Sequence, residues 1–198
     1  DAEGIRNAPT FGLVETNIFG IPVLAARSGY TGEDGFEVIC ANAHASALWS
    51  ALAKAGVVPC GLGSRDTLRV EAGLPLYGHE LNDELSPIAA GLGWVIGKTK
   101  SFNGSEIING HRANGTSHKL QGIKLPMKRL LLPDAKVFLG DREIGYVTSG
   151  VVSPVLECGI GFAYIAADVA LGTEVEVDMR GKRESATVVS KRFYKRVK

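Results

Sequence analysis

No apolar run in this chain approaches the ~20 residues that a membrane helix requires, so nothing in it predicts a membrane span. An excess of one charge is missing as well. The 22 basic and 21 acidic residues leave a net charge of +1, and no global field argues for nucleic acid or an anionic surface as a partner. Cysteine is scarce. Cys40, Cys60 and Cys158 are odd in number, widely spaced and without a CxxC pair, which speaks against a disulfide framework or a zinc site and predicts buried thiols in a reducing compartment. His79-Glu80 does not continue to a second histidine at zincin spacing, because Asn82 and Asp83 follow Leu81, and no metal site is expected. Gly91-Leu92-Gly93 lacks the strand-before, helix-after context of a dinucleotide loop. Asn103 and Asn114 match the glycosylation pattern, but each opens an Asn-Gly pair and reads as a turn. Asp1-Ala2-Glu3 carries neither an initiator methionine nor a targeting pattern, and the chain is expected to be a piece of a longer protein.

What is present suits a soluble fold of one large or two small domains: 45% hydrophobic and 22% charged residues over a length of 198. Residues 1–10, polar and small, read as a linker or a frayed end. Gly12–Phe19 and Ile21–Arg27 are strand candidates, and Phe36–Cys40 a third. Between the second and third lies Ser28-Gly-Tyr-Thr-Gly-Glu-Asp-Gly-Phe-Glu37, with the glycines and acids of a turn. Glu37 stands out there. Strand alternation puts it on the same face as Ile39, so it either meets a partner or ligand in an apolar setting or stands in water on an exposed face. Asn42 is a candidate N-cap for a helix over 43–55, with Trp49 assigned to the core and Gly56 as the stop. Ser64 is a candidate N-cap for a second helix to Ala72. Arg65 then falls in the first helical turn, where the macrodipole disfavours a cation. A salt bridge to Asp66 or Glu71 answers that conflict, and so does an anion or acceptor on a ligand.

Leu74–Leu85 reads as a packed loop, Ser86-Pro87 as the start of a short helix, and Gly93–Gly97 as a strand, with Trp94 assigned to core packing. From Lys98 to Lys119 three Asn-Gly pairs surround one short helix at 104–108, which sets the domain boundary at about residue 98. Apolar stretches follow at 120–125, 136–139, 143–148, 159–166, 173–179 and 185–190, split by turns. The second part therefore reads as a small antiparallel barrel or sandwich. The tail, Lys191-Arg-Phe-Tyr-Lys-Arg-Val-Lys198, is either solvated or folded back, with its aromatics packed and its cations toward an anionic partner.

Three segments together carry a family signature: residues 28–37 quoted above, Gly61-Leu-Gly-Ser-Arg-Asp-Thr-Leu-Arg-Val-Glu-Ala-Gly-Leu-Pro-Leu-Tyr-Gly-His-Glu-Leu81, and Gly145-Tyr-Val-Thr-Ser-Gly-Val-Val-Ser-Pro154. In sequence, order and spacing they resemble the aminomethyltransferase, or T-protein, of the glycine cleavage system. The resemblance covers essentially the whole chain but only the C-terminal half or slightly more of the family's length. It implies an α+β fold, with an antiparallel sheet and short helices of the folate-binding region in residues 1–97 and a C-terminal antiparallel β-barrel in 98–198. It also implies a reaction: release of ammonia from the aminomethyl-lipoyl arm of the H-protein and transfer of the one-carbon unit to tetrahydrofolate, giving 5,10-methylenetetrahydrofolate. The implied partners are lipoylated H-protein and tetrahydrofolate, with no nucleic acid, no membrane and no metal, in a bacterial cytoplasm or, alternatively, a mitochondrial matrix.

Carried over position by position, the family's folate-contacting carboxylate falls on Glu37, its arginine on Arg65, the tyrosine of its Gly-Tyr-Thr-Gly motif on Tyr30, and a tyrosine near its C-terminus on Tyr194. The family's catalytic aspartate falls upstream of Asp1, so no residue here takes that role, and the chain alone is expected to be inactive. Two other resemblances compete. One is the folate-binding C-terminal region of a flavin-dependent dimethylglycine or sarcosine dehydrogenase. The other is a non-enzymatic folate-binding protein, whose Lys-Gly-Cys-Tyr-x-Gly-Gln-Glu motif is replaced here by Arg27-Ser-Gly-Tyr-Thr-Gly-Glu-Asp34.

Overall fold

The structure, a computed structural model, describes residues 2–196. It divides into a first compact unit that runs to Arg65 and takes in Arg196, and a second, Asp66–Lys195.

The first unit starts with helix α1 (Ala2–Asn7), where the sequence suggests only a linker or a frayed end, followed by a three-stranded antiparallel sheet of β1 (Leu13–Ile18), β2 (Ile21–Ala26) and β3 (Glu37–Cys40) in that order. The register pairs Ala25 with both Val14 and Val38, and Val23 with both Thr16 and Cys40. Partners across an antiparallel pair share a face, so these side chains line one side, where Val23 and Ala25 are buried. Glu37 and Ile39 project from the other side, beside Leu24 and Ala26.

Helix α2 (Asn42–Lys54) is held by no side-chain cap. Asn42 lies inside it and Ala41 occupies the cap position, while Gly56, at positive φ, ends the helix as its freedom allows. Leu48 is the buried residue of this helix and Trp49 is 63% exposed. Adjacent helical residues lie about 100° apart around the axis, so turning Leu48 inward turns Trp49 out. Trp49 then lines a shallow apolar groove with Leu52, Val57, Val58 and Cys60. Two of the three thiols thus differ from expectation: Cys60 is exposed and Cys40 half-buried, and only Cys158 is buried.

Helix α3 (Leu62–Ala72) begins before Ser64, which therefore lies within its first turn and is not its cap. Beyond it, 74–97 forms turns and bends. The expected strand at Gly93–Gly97 does not form, and with no sheet face to pack against, Trp94 stands 75% exposed. Helix α4 (Ser105–Asn114) runs straight through Asn109-Gly110, longer than the turn signals imply.

The rest is a closed six-stranded antiparallel barrel: β4 (His118–Lys124), β5 (Lys136–Leu139), β6 (Arg142–Ser153), β7 (Cys158–Ala166), β8 (Glu174–Asp178) and β9 (Arg183–Val189), in the order β4-β7-β6-β5-β8-β9. Alternation supplies the interior from Ile123, Val137, Val147, Ala163, Ile165, Val175, Val177 and Val188. A small barrel of this kind is filled by side chains and encloses no channel. At Gly150 a Cβ would lie 2.1 Å from the Leu131 carbonyl oxygen, so the close backbone approach there requires glycine.

Every residue of β7 is buried. The outward-facing Ile160, Phe162 and Tyr164 pack under Val70 of α3, Leu85 and Ala89 of the following segment, and Phe193 of the tail. The tail is pinned by its backbone: the N–H groups of Phe193 and Tyr194 both donate to the Glu71 carbonyl, at 3.0 and 2.8 Å, and Phe193 stacks on Phe162 with 6.1 Å between ring centroids.

Candidate functional site

The loop from Ser28 to Gly35 is the centre of the candidate site, and its mouth is fastened twice. Arg27, at the end of β2, donates from Nε and Nη2 to the two carboxylate oxygens of Asp34 at 3.0 and 2.8 Å, a paired geometry of the stronger kind. The same guanidinium donates to the Ala8 carbonyl at 2.7 Å and to the Arg6 carbonyl at the end of α1 at 3.2 Å. The guanidinium holds the Asp34 carboxyl below the usual carboxylate range. Opposite, Ser28 donates its hydroxyl to the Glu37 carboxylate. One residue on each side of the loop is thus tied to one on the other, and the loop between them is short and fixed.

Inside this frame the Arg65 guanidinium lies over the Tyr30 ring, 4.4 Å from the centroid. That cation–π contact answers the electrostatic conflict raised by a cation in the first turn of α3. The alternative of a salt bridge to Asp66 or Glu71 does not form. Asp66 is taken by Arg69 at 2.7 Å, and the Glu71 carboxylate accepts from the Ser153 hydroxyl. Arg65 is exposed and so is Glu37, the latter on the open face of the sheet with Ile39, itself 60% exposed. Tyr30 is half-buried. Glu37 therefore offers one carboxylate oxygen beyond its bond with Ser28, and Arg65 offers N–H donors along the edge of a guanidinium that already lies against a ring. Those are the groups that bind a flat ligand with adjacent donors and acceptors.

Of the four residues indicated by the family motif, Tyr30 and Arg65 are in direct contact, and Glu37 is bonded to the serine two residues before Tyr30. Tyr194 belongs to the second unit, half-buried, with its N–H on the Glu71 carbonyl. The clamp residues Arg27, Ser28 and Asp34 escape sequence reasoning. The available signal was an arginine followed seven residues later by an aspartate across a glycine-rich turn, which in isolation is commonplace.

The second unit has its own polar feature. Buried Arg69 donates to Glu80 at 2.9 Å and to the Ser149 hydroxyl at 2.7 Å. Glu80, itself fully buried, also accepts from Thr148 at 2.5 Å, Ser149 at 2.6 Å and the Leu76 N–H at 2.9 Å. Tyr164 donates to the Glu80 carbonyl at 2.7 Å, and burial pushes its hydroxyl up to about 12. This cluster fastens α3 and the 74–85 segment to β6 and β7. A cavity of about 400 Å³ opens nearby, lined by Ser86, His111, His118, Tyr146 and Tyr164 among others, and by none of the four residues that the motif indicates.

Comparison with known proteins gives a consistent assignment. A model described as the GCVT N-terminal domain matches residues 4–100, and one described as the glycine cleavage T-protein C-terminal barrel domain matches 118–195. The aminomethyltransferase of Geobacillus sp. (strain WCH70) is 47% identical over 191 residues, covering 93% of this chain and 52% of that protein. The aminomethyltransferase of Synechococcus elongatus is 46% identical over 194 residues, covering 96% and 52%. A crystal structure of the glycine cleavage system aminomethyltransferase T from Bartonella henselae superposes with a TM-score of 0.87 at 32% identity, over 96% of this chain and 54% of that one. The chain thus spans about half the length of the curated relatives that it matches. With both family models in chain order across it and the barrel present as the second of them describes, this chain belongs to the aminomethyltransferase (glycine cleavage T-protein) family.

Proposed function

We propose that this chain supplies the folate-holding part of a tetrahydrofolate-dependent aminomethyltransferase of the glycine cleavage system. The observation that carries the reading is the Tyr30–Arg65 contact beside the Ser28–Glu37 bond, within a loop clamped by Arg27 and Asp34. A pterin presents adjacent N–H groups that one carboxylate accepts as a pair. Ser28 fixes the orientation of the Glu37 carboxylate, leaving its other oxygen toward such a ligand. Arg65, steadied on Tyr30, takes a carbonyl or carboxylate of the same molecule.

In this reading the aminomethyl donor is the lipoyl arm of the H-protein, the products are ammonia and 5,10-methylenetetrahydrofolate, and the setting is the bacterial cytoplasm. Among the described residues no helix is long and apolar enough to cross a membrane. Proton transfer at the folate N5 and the departing amine is assigned to no residue of this chain, since none of its positions matches the family's catalytic aspartate. The chain alone is therefore assigned binding without turnover.

Calorimetric titration with 5-formyltetrahydrofolate, on the wild-type chain and on Glu37→Gln, tests the reading. The amide keeps the shape but loses a charged acceptor, a change of about 1.5–3 kcal/mol for hydrogen bonds to an ionised group. An affinity loss of roughly 10- to 150-fold is expected. Equal affinity in the two proteins, or no binding to the wild type, overturns the assignment of the pocket to these residues.

A further inference from the structure

Strand β4 pairs with β7 along its whole length, but with β9 only over Gly122–Lys124. Residues 118–121 thus have one edge with no strand beside it. At that edge the Leu120 N–H donates to the Ala89 carbonyl at 2.8 Å, which brings the 88–91 turn alongside the barrel. The chain leaving β9 runs past the same turn, and Lys191 donates from Nζ to the Ala90 carbonyl. It passes so close to Gly91 that a Cβ there would lie 2.8 Å from Nζ, and Gly91 is also held at φ +73°. The gap between these segments is a cavity of about 340 Å³, walled by Ile88, Ala89, Leu120 and Leu171 and bearing Lys119 and Lys191.

The charge in this cavity has one sign. No Asp or Glu lines it, and among the described residues neither lysine is within ion-pair distance of a carboxylate. The field of Glu80 reaches Lys191, but that carboxylate is already engaged by Arg69, Thr148, Ser149 and Leu76. Burial holds the Lys191 ammonium below the usual lysine range, a cost that an anion at the same place would offset. The Gln121 amide and the Ser190 hydroxyl also reach the lining. A cavity at the small end of the ligand-site range, apolar on one wall and cationic on the other, has a definite complement.

We propose that this cavity binds a small amphipathic anion, a carboxylate or phosphate monoester on an apolar body, with Lys191 and Lys119 on the anionic group and Ile88, Leu120 and Leu171 against the rest. Its lining residues include none of Tyr30, Glu37 and Arg65, and the proposal does not depend on the folate reading.

The test is calorimetric titration of the protein with phenyl phosphate and 4-phenylbutyrate, and with 4-phenyl-1-butanol as the uncharged counterpart. Wild type is expected to bind at least one of the anions and to bind the alcohol at least tenfold more weakly. Lys191→Met should weaken the bound anion at least tenfold, and Lys119→Met severalfold. Leu171 is 55% exposed, so Leu171→Asp tests the rim without risk to the fold and should also abolish binding. Amide shifts in nitrogen–proton spectra should fall on residues 88–91, 119–121 and 190–191. No binding of either anion overturns the proposal. So does equal binding of the alcohol, affinity unchanged in Leu171→Asp, or shifts elsewhere in the chain. No pterin enters the experiment, so failure here leaves the folate assignment as it stands.

Discussion

At the residue scale the most consequential pair is Arg69 with Glu80, 1% and 0% exposed. Solvent screens neither charge, so each depends on the other and on the hydroxyls around them. Replacing Arg69 by methionine keeps the volume and leaves a buried carboxylate with only neutral donors. Removing one partner from such a pair costs about 3–5 kcal/mol, and Arg69→Met is expected to lower the unfolding free energy by that amount in urea titration. Replacing both charges with apolar groups can be neutral elsewhere. Here Thr148, Ser149 and the Leu76 N–H also depend on Glu80, so Arg69→Met with Glu80→Leu should recover none of the loss. A stability within 1 kcal/mol of wild type for the single variant, roughly the worth of an exposed pair, would contradict this account. Sequence alone did not reveal the pair. Arg65 and Arg69 look alike in the helix pattern, and only contact with β6, eighty positions downstream, buries one and leaves the other at the surface. Glu37 was legible as unusual because alternation placed it beside Ile39; in the structure it is exposed and accepts from the Ser28 hydroxyl, a neighbour that strand alternation does not indicate.

At the scale of elements, the loop between β2 and β3 depends on the Arg27–Asp34 pair. Asp34 has a folded pKa below its unfolded value, with the Arg27 hydrogen bond as the largest cause. The sign follows from that depression. The pair contributes stability that is fully present above the unfolded carboxylate value, about 3.9, and is lost as pH falls through the lower, folded value. NMR titration of side-chain carboxyls should place Asp34 below the ordinary aspartate midpoint in wild type and bring it back up in Arg27→Gln. The same variant should broaden the amide signals of 29–33, because the loop loses its tie to β2 and to the end of α1. An unshifted Asp34 midpoint in the variant would remove the clamp from the argument. Elements whose burial follows one simple period were readable in advance: β5 appears at the expected residues and β8 within one of them. Those whose form depends on a neighbour were not. Asn109-Gly110 has turn chemistry but lies within α4, and Gly93–Gly97 has strand composition but no strand to pair with.

For the whole molecule, the two units differ in how much they bury. In the first, the buried apolar side chains among the described residues are Ala8, Val23, Ala25 and Leu48, while Phe11, Leu13, Ile39, Trp49 and Val58 are each more than half exposed. The second has a filled barrel interior and a second apolar layer over Ile160, Phe162 and Tyr164. The barrel was legible because alternating segments of five to eight residues recur between turns. Its outer layer was not, since β7 is apolar on both faces and nothing local says what covers the outer one. Opening free energies follow buried contact and range from near zero up to the global value. Hydrogen exchange should therefore find the amides of Gly159–Ile165 at the limit set by global unfolding. The amides of β1 and β3 should exchange at least ~100-fold faster, a local opening free energy lower by about 2.7 kcal/mol. Val70 and Phe193 should be protected with β7, as they cover it. Equal protection of β1 and β7 would mean that the exposed apolar side chains of the first unit are held by contacts that this structure does not contain.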